Sequence, residues 1–178
     1  LRRLAEAGRR TAFFNAFRDP FFAWPRERQL RTSATTVANL AAGNRFFTLA
    51  DAGAGRALYH DITGRELRDH GAVAPPRTPA EAGAILAAEA GRYDFLLYEY
   101  FLTDRDGHAG RRADAEARLR QLDDFLAAAL AGLARRDAAQ PSALLLLTSD
   151  HGNVEDLSTR AHTLAPVPLL AWGHDARA

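Results

Sequence analysis

Apolar residues along the chain fall into short runs that alternate with stretches of helical periodicity. Runs rich in aromatic and aliphatic residues, typical of strands, occupy residues 11–17, 93–101, 143–148 and 167–172. Helices are predicted at residues 35–42, 78–90 and 113–134, the second from the start signal Thr78-Pro79-Ala80-Glu81. This order of strands and helices predicts an α/β fold with a mostly parallel sheet and helices on both faces.

Two stretches depart from simple alternation. The run ALLLLT at residues 143–148 is continuously apolar up to its last position, which is typical of a parallel strand covered on both faces. Residues 30–90, in contrast, are broken repeatedly by glycine and proline. We therefore expect a single domain over residues 1–178, in which residues 30–90 form a loop-rich insertion or a small cap.

The composition narrows the possible chemistry. There is no cysteine, which excludes disulfides, thiol catalysis and sulfur-ligated metals, so any metal must be held by histidine and carboxylate. The net charge of +1 gives no electrostatic reason to expect nucleic acid or an anionic membrane as a partner. No apolar run approaches the roughly 20 residues that span a bilayer. We expect a cytoplasmic protein, and the sequence carries no sign of its oligomeric state.

The chain also lacks methionine, even at its first position. Because an unprocessed translation product normally begins with methionine, the sequence predicts an N-terminally truncated or processed chain whose true N-terminus is not seen.

Aspartate and histidine residues cluster where the predicted strands end. Asp104 and His108 follow one strand, Asp150 and His151 directly follow another, and His162 precedes the last. Ligands of α/β folds gather at such carboxyl ends. Each piece alone has a plain structural explanation: a helix cap, a surface ion pair or a structural histidine. Together, carboxylates and imidazoles without cysteine suit a divalent cation such as Zn²⁺ or Mn²⁺.

Two segments carry a family resemblance. The segment LLLLTSDHGNVEDLSTRAHTLAPVPLL resembles the C-terminal metal-binding region of the alkaline phosphatase superfamily. It is most similar to cofactor-independent phosphoglycerate mutases and related bacterial metalloenzyme-domain proteins. The segment DRDGHAG resembles the D-x-x-G-H-x-G motif of the same proteins. The order of the motifs and the long helix between them also match, and the resemblance is strongest over residues 93–172.

The resemblance implies an alkaline-phosphatase-like, three-layer fold and a site for two divalent metal ions, Zn²⁺ or Mn²⁺. One ion would be held by Asp104, His108 and His162, and the other by Asp150 and His151, about 4 Å away as in other two-metal sites. The implied activity is metal-dependent phosphoryl transfer on a small phosphorylated substrate, of the phosphoric-ester hydrolase or phosphomutase type.

The sequence also departs from the family pattern. The family's first strand or strands are missing, and the Ser or Thr nucleophile and further ligands of the second metal are expected upstream of Leu1. Asp150 and His151 alone are too few ligands for a tight site. Helix capping explains Ser33 and Thr35 better than a catalytic role. The alternative function is a truncated or degenerate, non-catalytic domain that retains partial metal binding.

Several other polar residues have two possible interpretations. Asp106 competes with Asp104 as a ligand, although the family spacing favours Asp104 and leaves Asp106 a supporting role. The other candidates are either groups that orient ligands or contact substrate, or ordinary surface loop residues: Asn153, Glu155, Arg160, His60 and His70. His174 is assigned no role.

Overall fold

The computed structural model describes residues 1–71, 74–137 and 143–173, so His174 lies outside the described residues. The helices in this part of the chain are α1 (Arg2–Glu6), α2 (Asp19–Ala23), α3 (Arg26–Gln29), α4 (Ala34–Ala41), α5 (Leu49–Gly53), α6 (Arg65–Asp69), α7 (Pro79–Ala90), α8 (Leu102–Ala109) and α9 (Arg112–Asp137). The strands are β1 (Thr11–Phe13), β2 (Ala16–Phe17), β3 (Phe47–Thr48), β4 (Phe95–Leu97), β5 (Leu144–Thr148) and β6 (Leu169–Gly173).

The described strands form three small two-stranded sheets. Strand β1 pairs in parallel with β4, and β2 pairs in parallel with β3. Strand β5 pairs antiparallel with β6, with Leu144 opposite Gly173. The chain thus mixes helices with mostly parallel strand pairs, and the predicted α/β class is confirmed.

The chain divides into two compact units. The first comprises Leu1–Thr78 and Ile85–Tyr100, and the second comprises Pro79–Ala84 and Phe101–Ala178. Helix α7 begins where the sequence predicts, at the Thr78-Pro79 start signal, and contributes residues to both units. The interpretation of residues 30–90 as an insertion or cap within a single domain stays a prediction.

The first unit is built on an aromatic core. Phe13, Phe14, Phe47 and Leu58 are almost completely buried, and the rings of Phe14 and Phe47 meet edge to face at 5.9 Å. The run at residues 11–17 is split at Asn15, where the chain leaves β4 and makes a parallel bridge to Leu58. One predicted strand is therefore two short ones, because the chain changes its pairing partner partway along.

The Asn15 side chain holds the segment that follows β4. Its Nδ2 donates to the backbone oxygen of Glu99 at 2.8 Å, and its Oδ1 accepts from the Glu99 N–H at 2.9 Å. A buried amide must satisfy both its donor and its acceptor. These two hydrogen bonds to the Glu99 backbone therefore explain why a polar residue lies within an aromatic run.

The structure corrects the prediction for residues 143–148. The leucine run was expected to be a parallel strand covered on both faces, yet β5 is antiparallel to β6 and Leu146 is 60% exposed. No helix lies among residues 149–168 between these strands, whereas a parallel pair requires a crossover that usually contains a helix. Leu169 and Leu170 of β6 are also exposed. This apolar surface is not covered by the described residues.

In the second unit, α8 and α9 pack against each other and share a buried ion pair. Asp106 is 6% exposed and accepts a hydrogen bond from Arg118 Nε at 3.0 Å. Helix α8 ends at Gly110, whose φ of 66° lies in the left-handed region and whose N–H donates to the Asp106 carbonyl. The ion pair and the turn fix the orientation of α8, the helix that carries Asp104 and His108.

Asp51 forms a buried cluster of ion pairs in the first unit. Its buried carboxylate pairs with Arg45 at 3.0 Å and Arg56 at 3.1 Å, and it completes a capping box with Thr48 at the start of α5. Burial on its own would raise the pKa of Asp51, but the hydrogen bonds from Arg45, the Thr48 N–H and Arg56 outweigh it and hold this pKa well below its ordinary value.

Asp51→Ala is expected to lower the free energy of unfolding by about 1–2 kcal/mol at pH 7, because the capping box and two ion pairs are lost. Since the pKa is lower in the folded protein, Asp51 stabilises the fold above the unfolded-state pKa of about 4 and does so less as the pH falls below it. Urea unfolding at pH 7 and pH 3 should show the difference between wild type and variant shrinking in acid.

The matched control is Asp69→Ala, which removes an exposed carboxylate paired with Arg65 within α6. Exposed pairs of this kind contribute little, so this variant should unfold almost like the wild type. An Asp51→Ala effect of the same size at both pH values would contradict the assignment.

Candidate metal centre

Three parts of the second unit bring the predicted ligands together: helix α8, the turn that follows β5 and the segment that precedes β6. Asp104 and His108 lie one turn apart on α8. Asp150 and His151 follow β5 directly, and His162 lies in the segment that leads to β6. Side chains four residues apart share a helix face, which is why Asp104 and His108 point in the same direction.

Three of these residues present their polar atoms at nearly equal separations. Asp104 Oδ1 lies 3.3 Å from His108 Nε2 and 3.3 Å from His162 Nε2, and the two Nε2 atoms are 3.2 Å apart. A tetrahedral ion with bonds of about 2.0–2.1 Å separates its ligand atoms by roughly 3.3 Å. The three atoms therefore have the spacing of one face of a tetrahedral metal site.

His151 joins this group from the turn after β5. Its ring stacks on the His162 ring with centroids 3.5 Å apart, and its Nε2 lies 3.9 Å from Asp104 Oδ1. The ligand atoms of Asp104, His151 and His162 all lie within 4.8 Å of one another. Among the described residues, Asp150 contacts this group at His151, at 3.6 Å, and the Asp150 side chain is 86% exposed. The two carboxylates thus differ: Asp104 is central, and Asp150 lies at the solvent edge.

The backbone of Arg160 holds the His108 ring in place. The Nδ1 of this ring lies 2.5 Å from the backbone oxygen of Arg160. Because a carbonyl oxygen only accepts, Nδ1 is the donor of this bond, and Nε2 faces Asp104 and His162. A histidine ligand held in this way by a backbone carbonyl is a usual arrangement around bound metals. Arg160 therefore acts through its backbone, while its side chain is exposed.

Glu155 joins the His151 turn to the His162 segment. Its carboxylate accepts from the Asn153 N–H at 2.6 Å and from the Thr163 hydroxyl. The Thr163 hydroxyl is the main reason that the pKa of Glu155 lies below its ordinary value. The Thr163 N–H also donates to the Gly152 carbonyl at 2.9 Å. Glu155 is exposed, yet these bonds tie the turn after β5 to the His162 segment, which favours the organising interpretation of this residue.

Gly152 allows this close contact. A Cβ at this position would lie 2.3 Å from Thr163 Oγ1 and 2.6 Å from Glu155 Oε1. Any residue other than glycine would therefore displace both oxygens. The sequence pointed to Asn153 and Glu155 but missed Gly152, Thr163 and Gly107 as structural parts of the site. The signal that could have found Gly107 is its place inside a helix, where a glycine usually has a packing reason.

The remaining candidates lie elsewhere. Asp106 faces α9 and pairs with Arg118, so it belongs to the support of α8 and not to the cluster of histidines. In the first unit, His60 Nε2 lies 3.0 Å from Glu66 Oε2, and His70 is exposed at the end of α6. Ser33 accepts the Thr36 N–H and caps α4, as the sequence predicts.

Comparisons with known proteins identify the family of the chain. A family model described as the metalloenzyme superfamily matches residues 80–178. The 2,3-bisphosphoglycerate-independent phosphoglycerate mutase of Dinoroseobacter shibae is 35% identical over 96 residues, which are 50% of this chain and 18% of the mutase. The enzyme of the same name from Rhodopseudomonas palustris is 33% identical over 108 residues, 56% of this chain and 20% of that protein.

A third mutase, from Pseudoalteromonas translucida, is 31% identical over 101 residues, 53% of this chain and 19% of that protein. The matched part of the chain thus spans about a fifth of these relatives' own length. No solved structure matches the chain. Within the described residues, no helix has the length and apolar character needed to cross a membrane. Since the family model covers more than half of its residues, the chain belongs to the metalloenzyme superfamily.

Proposed function

We propose that this chain forms the metal-binding part of a divalent-metal-dependent phosphoryl-transfer enzyme of the phosphomutase or phosphoric-ester hydrolase type. The observation that carries the proposal is the near-equilateral arrangement of Asp104 Oδ1, His108 Nε2 and His162 Nε2. Membership of the metalloenzyme superfamily and the similarity to phosphoglycerate mutases support the same reaction class.

The donor set fits the ions that the family implies. Imidazole nitrogen and carboxylate oxygen without sulfur suit Zn²⁺ or Mn²⁺. In the proposed assignment, Asp104, His108 and His162 hold one ion, and Asp150 and His151 contribute to the second. Bound ions of this kind offset the negative charge that develops on the phosphoryl group and on the attacking and leaving oxygens.

The chain's own residues supply a site that is organised in advance. The Arg160 carbonyl holds His108 with its Nε2 directed at Asp104, and Glu155 holds the His151 turn against the His162 segment. Holding ligands in place before the ion arrives reduces the conformational entropy lost on binding. The exposed Asp150 lies on the open side of the site, where a substrate phosphate has access.

The proposed substrate is a small phosphate ester. The relatives are phosphoglycerate mutases, and their reaction class supports a substrate of this kind. A second candidate function is a metal-binding domain without catalysis. The observation that favours it is the incomplete second group, in which Asp150 and His151 are the only predicted ligands among the described residues.

His162→Ala in the full-length protein is expected to weaken Zn²⁺ or Mn²⁺ binding by at least about 100-fold, since a direct ligand should matter more than a supporting residue. Hydrolysis of an aryl phosphate such as 4-nitrophenyl phosphate should be lost with it. Equilibrium dialysis followed by metal analysis measures the first effect, and a colorimetric assay measures the second.

The matched control for this test is His60→Ala, which removes a histidine bound to Glu66 in the first unit and should leave metal binding unchanged. Retention of metal and activity by His162→Ala would refute the proposal. A wild type that binds metal tightly but hydrolyses no phosphate ester would favour the non-catalytic alternative.

Asp104→Asn and Asp106→Asn should separate the ligand from its structural neighbour. Asp104→Asn is expected to lower metal affinity at least about 10-fold with little effect on the stability of the metal-free protein. Asp106→Asn removes the charge of the buried pair but keeps an oxygen that can accept from Arg118 Nε, so α8 should keep its orientation and metal binding should be retained. The weaker pair should cost about 1–3 kcal/mol of stability. Dialysis and thermal unfolding of both variants test the assignment, and the opposite pattern would show that Asp106 is the ligand.

A further inference from the structure

A buried asparagine lies between α8 and the turn that follows β5. Asn153 is only 5% exposed. Its Nδ2 donates to Asp104 Oδ1 at 2.7 Å and lies 3.4 Å from the Asp104 backbone oxygen. The oxygen that receives this bond is the same atom that lies 3.3 Å from His108 Nε2 and His162 Nε2. Asn153 therefore contacts the atom on which the candidate site is centred.

Helix α8 has a space that this amide fills. A Cβ at Gly107 would lie 1.8 Å from Asn153 Oδ1 and 2.6 Å from its Cγ, so any side chain at this position would displace the amide. Glycine in the middle of a helix is unfavourable because of the backbone freedom that it loses on folding. Its presence between Asp104 and His108 is explained by the need to admit Asn153.

The orientation of the amide follows from hydrogen-bond chemistry. Asp104 as a carboxylate only accepts, so the NH₂ group of Asn153 must face it and the carbonyl oxygen must face Gly107. That oxygen, Asn153 Oδ1, is buried and accepts no hydrogen bond from the residues that the structure describes. Because an unpaired buried acceptor costs stability, the bond to Asp104 holds the amide in this orientation against that cost.

The backbone of Asn153 is fixed as well. Its N–H donates to Glu155 Oε2 at 2.6 Å, and Glu155 in turn accepts from Thr163. The side chain thus projects from an anchored turn into a space shaped by Gly107. Both ends of the contact are determined before any ligand binds.

We propose that Asn153 is the positioning residue for the Asp104 carboxylate. Its N–H occupies one lone pair of Oδ1, so this oxygen can offer only its remaining lone pair to an ion shared with His108 and His162. The carboxylate is thereby held in one rotamer and binds through a single direction. This inference rests on the proposed metal site.

The test uses the full-length protein and Mn²⁺ as the probe, with dissociation constants from equilibrium dialysis and metal-free stability from circular dichroism. Asn153→Ala should weaken Mn²⁺ binding about 10- to 100-fold, the usual effect of removing a partner of a ligand. Gly107→Ala should weaken binding to a similar degree, because its Cβ displaces the amide.

The double variant Gly107→Ala/Asn153→Ala makes the test specific. Once the amide is absent, a Cβ at residue 107 meets no obstacle, so the double variant should bind Mn²⁺ no more weakly than Asn153→Ala alone. Additive losses in the double variant would overturn the inference, because Gly107 would then act independently of Asn153.

The matched control is Asn39→Ala, which removes a wholly buried amide in the first unit that donates to the Arg45 carbonyl. It should lower the unfolding temperature without changing the Mn²⁺ dissociation constant. The visible spectrum of the Co²⁺-loaded protein gives a second measurement: it should change in Asn153→Ala, because the carboxylate reorients, and stay the same in Asn39→Ala. If Asn153→Ala does not fold, Asn153→Ser, which is too short to reach Asp104, carries the same expectation.

The outcomes distinguish this inference from the proposed function. A wild type that binds Mn²⁺ together with an Asn153→Ala variant of equal affinity and unchanged Co²⁺ spectrum overturns the positioning role alone. A wild type with no affinity for Mn²⁺, Zn²⁺ or Co²⁺ overturns the metal site and the positioning role together.

Discussion

One carboxylate oxygen, Oδ1 of Asp104, is the point at which three separate segments of the second unit meet. The His108 and His162 nitrogens lie 3.3 Å from it, the His151 nitrogen lies 3.9 Å away, and the Asn153 amide donates to it. Imidazole lone pairs and a carboxylate repel one another at such distances unless protons or a cation lie between them. A divalent ion at the proposed site would satisfy this requirement without movement of these side chains.

The position of that oxygen depends on how α8 is held. Residues two apart on a helix point in nearly opposite directions, and residues four apart share a face. Asp106 therefore faces α9 and pairs with Arg118, while Asp104 and His108 face the histidines. The ion pair on one side of α8 thus helps to hold the candidate ligands on the other side in place. Close approach then depends on Gly107 and Gly152, where a Cβ would collide with the neighbouring segment.

The apolar pattern predicted which segments are strands better than it predicted their partners. The leucine run at β5 forms a strand, but it pairs antiparallel with β6 and leaves Leu144 and Leu146 exposed. Likewise, the run at residues 11–17 is two strands, because Asn15 marks a change of partner. An apolar run shows that a segment prefers burial, and it carries no information on which strand will lie beside it. Strand direction is decided by connections and long-range contacts.

The sequence by itself determined the α/β class, the boundaries of α7 and the residue types of the site, because start signals, periodicity and motif spacing are local properties. It also ranked Asp104 above Asp106, although only through the spacing of a family motif. The tertiary structure decided that Asp106 belongs to Arg118, that the Arg160 carbonyl fixes His108, and that Asn153 is buried against Asp104 and Gly107. These contacts join residues about 12 to 52 positions apart, and only packing in three dimensions brings such residues within hydrogen-bond distance.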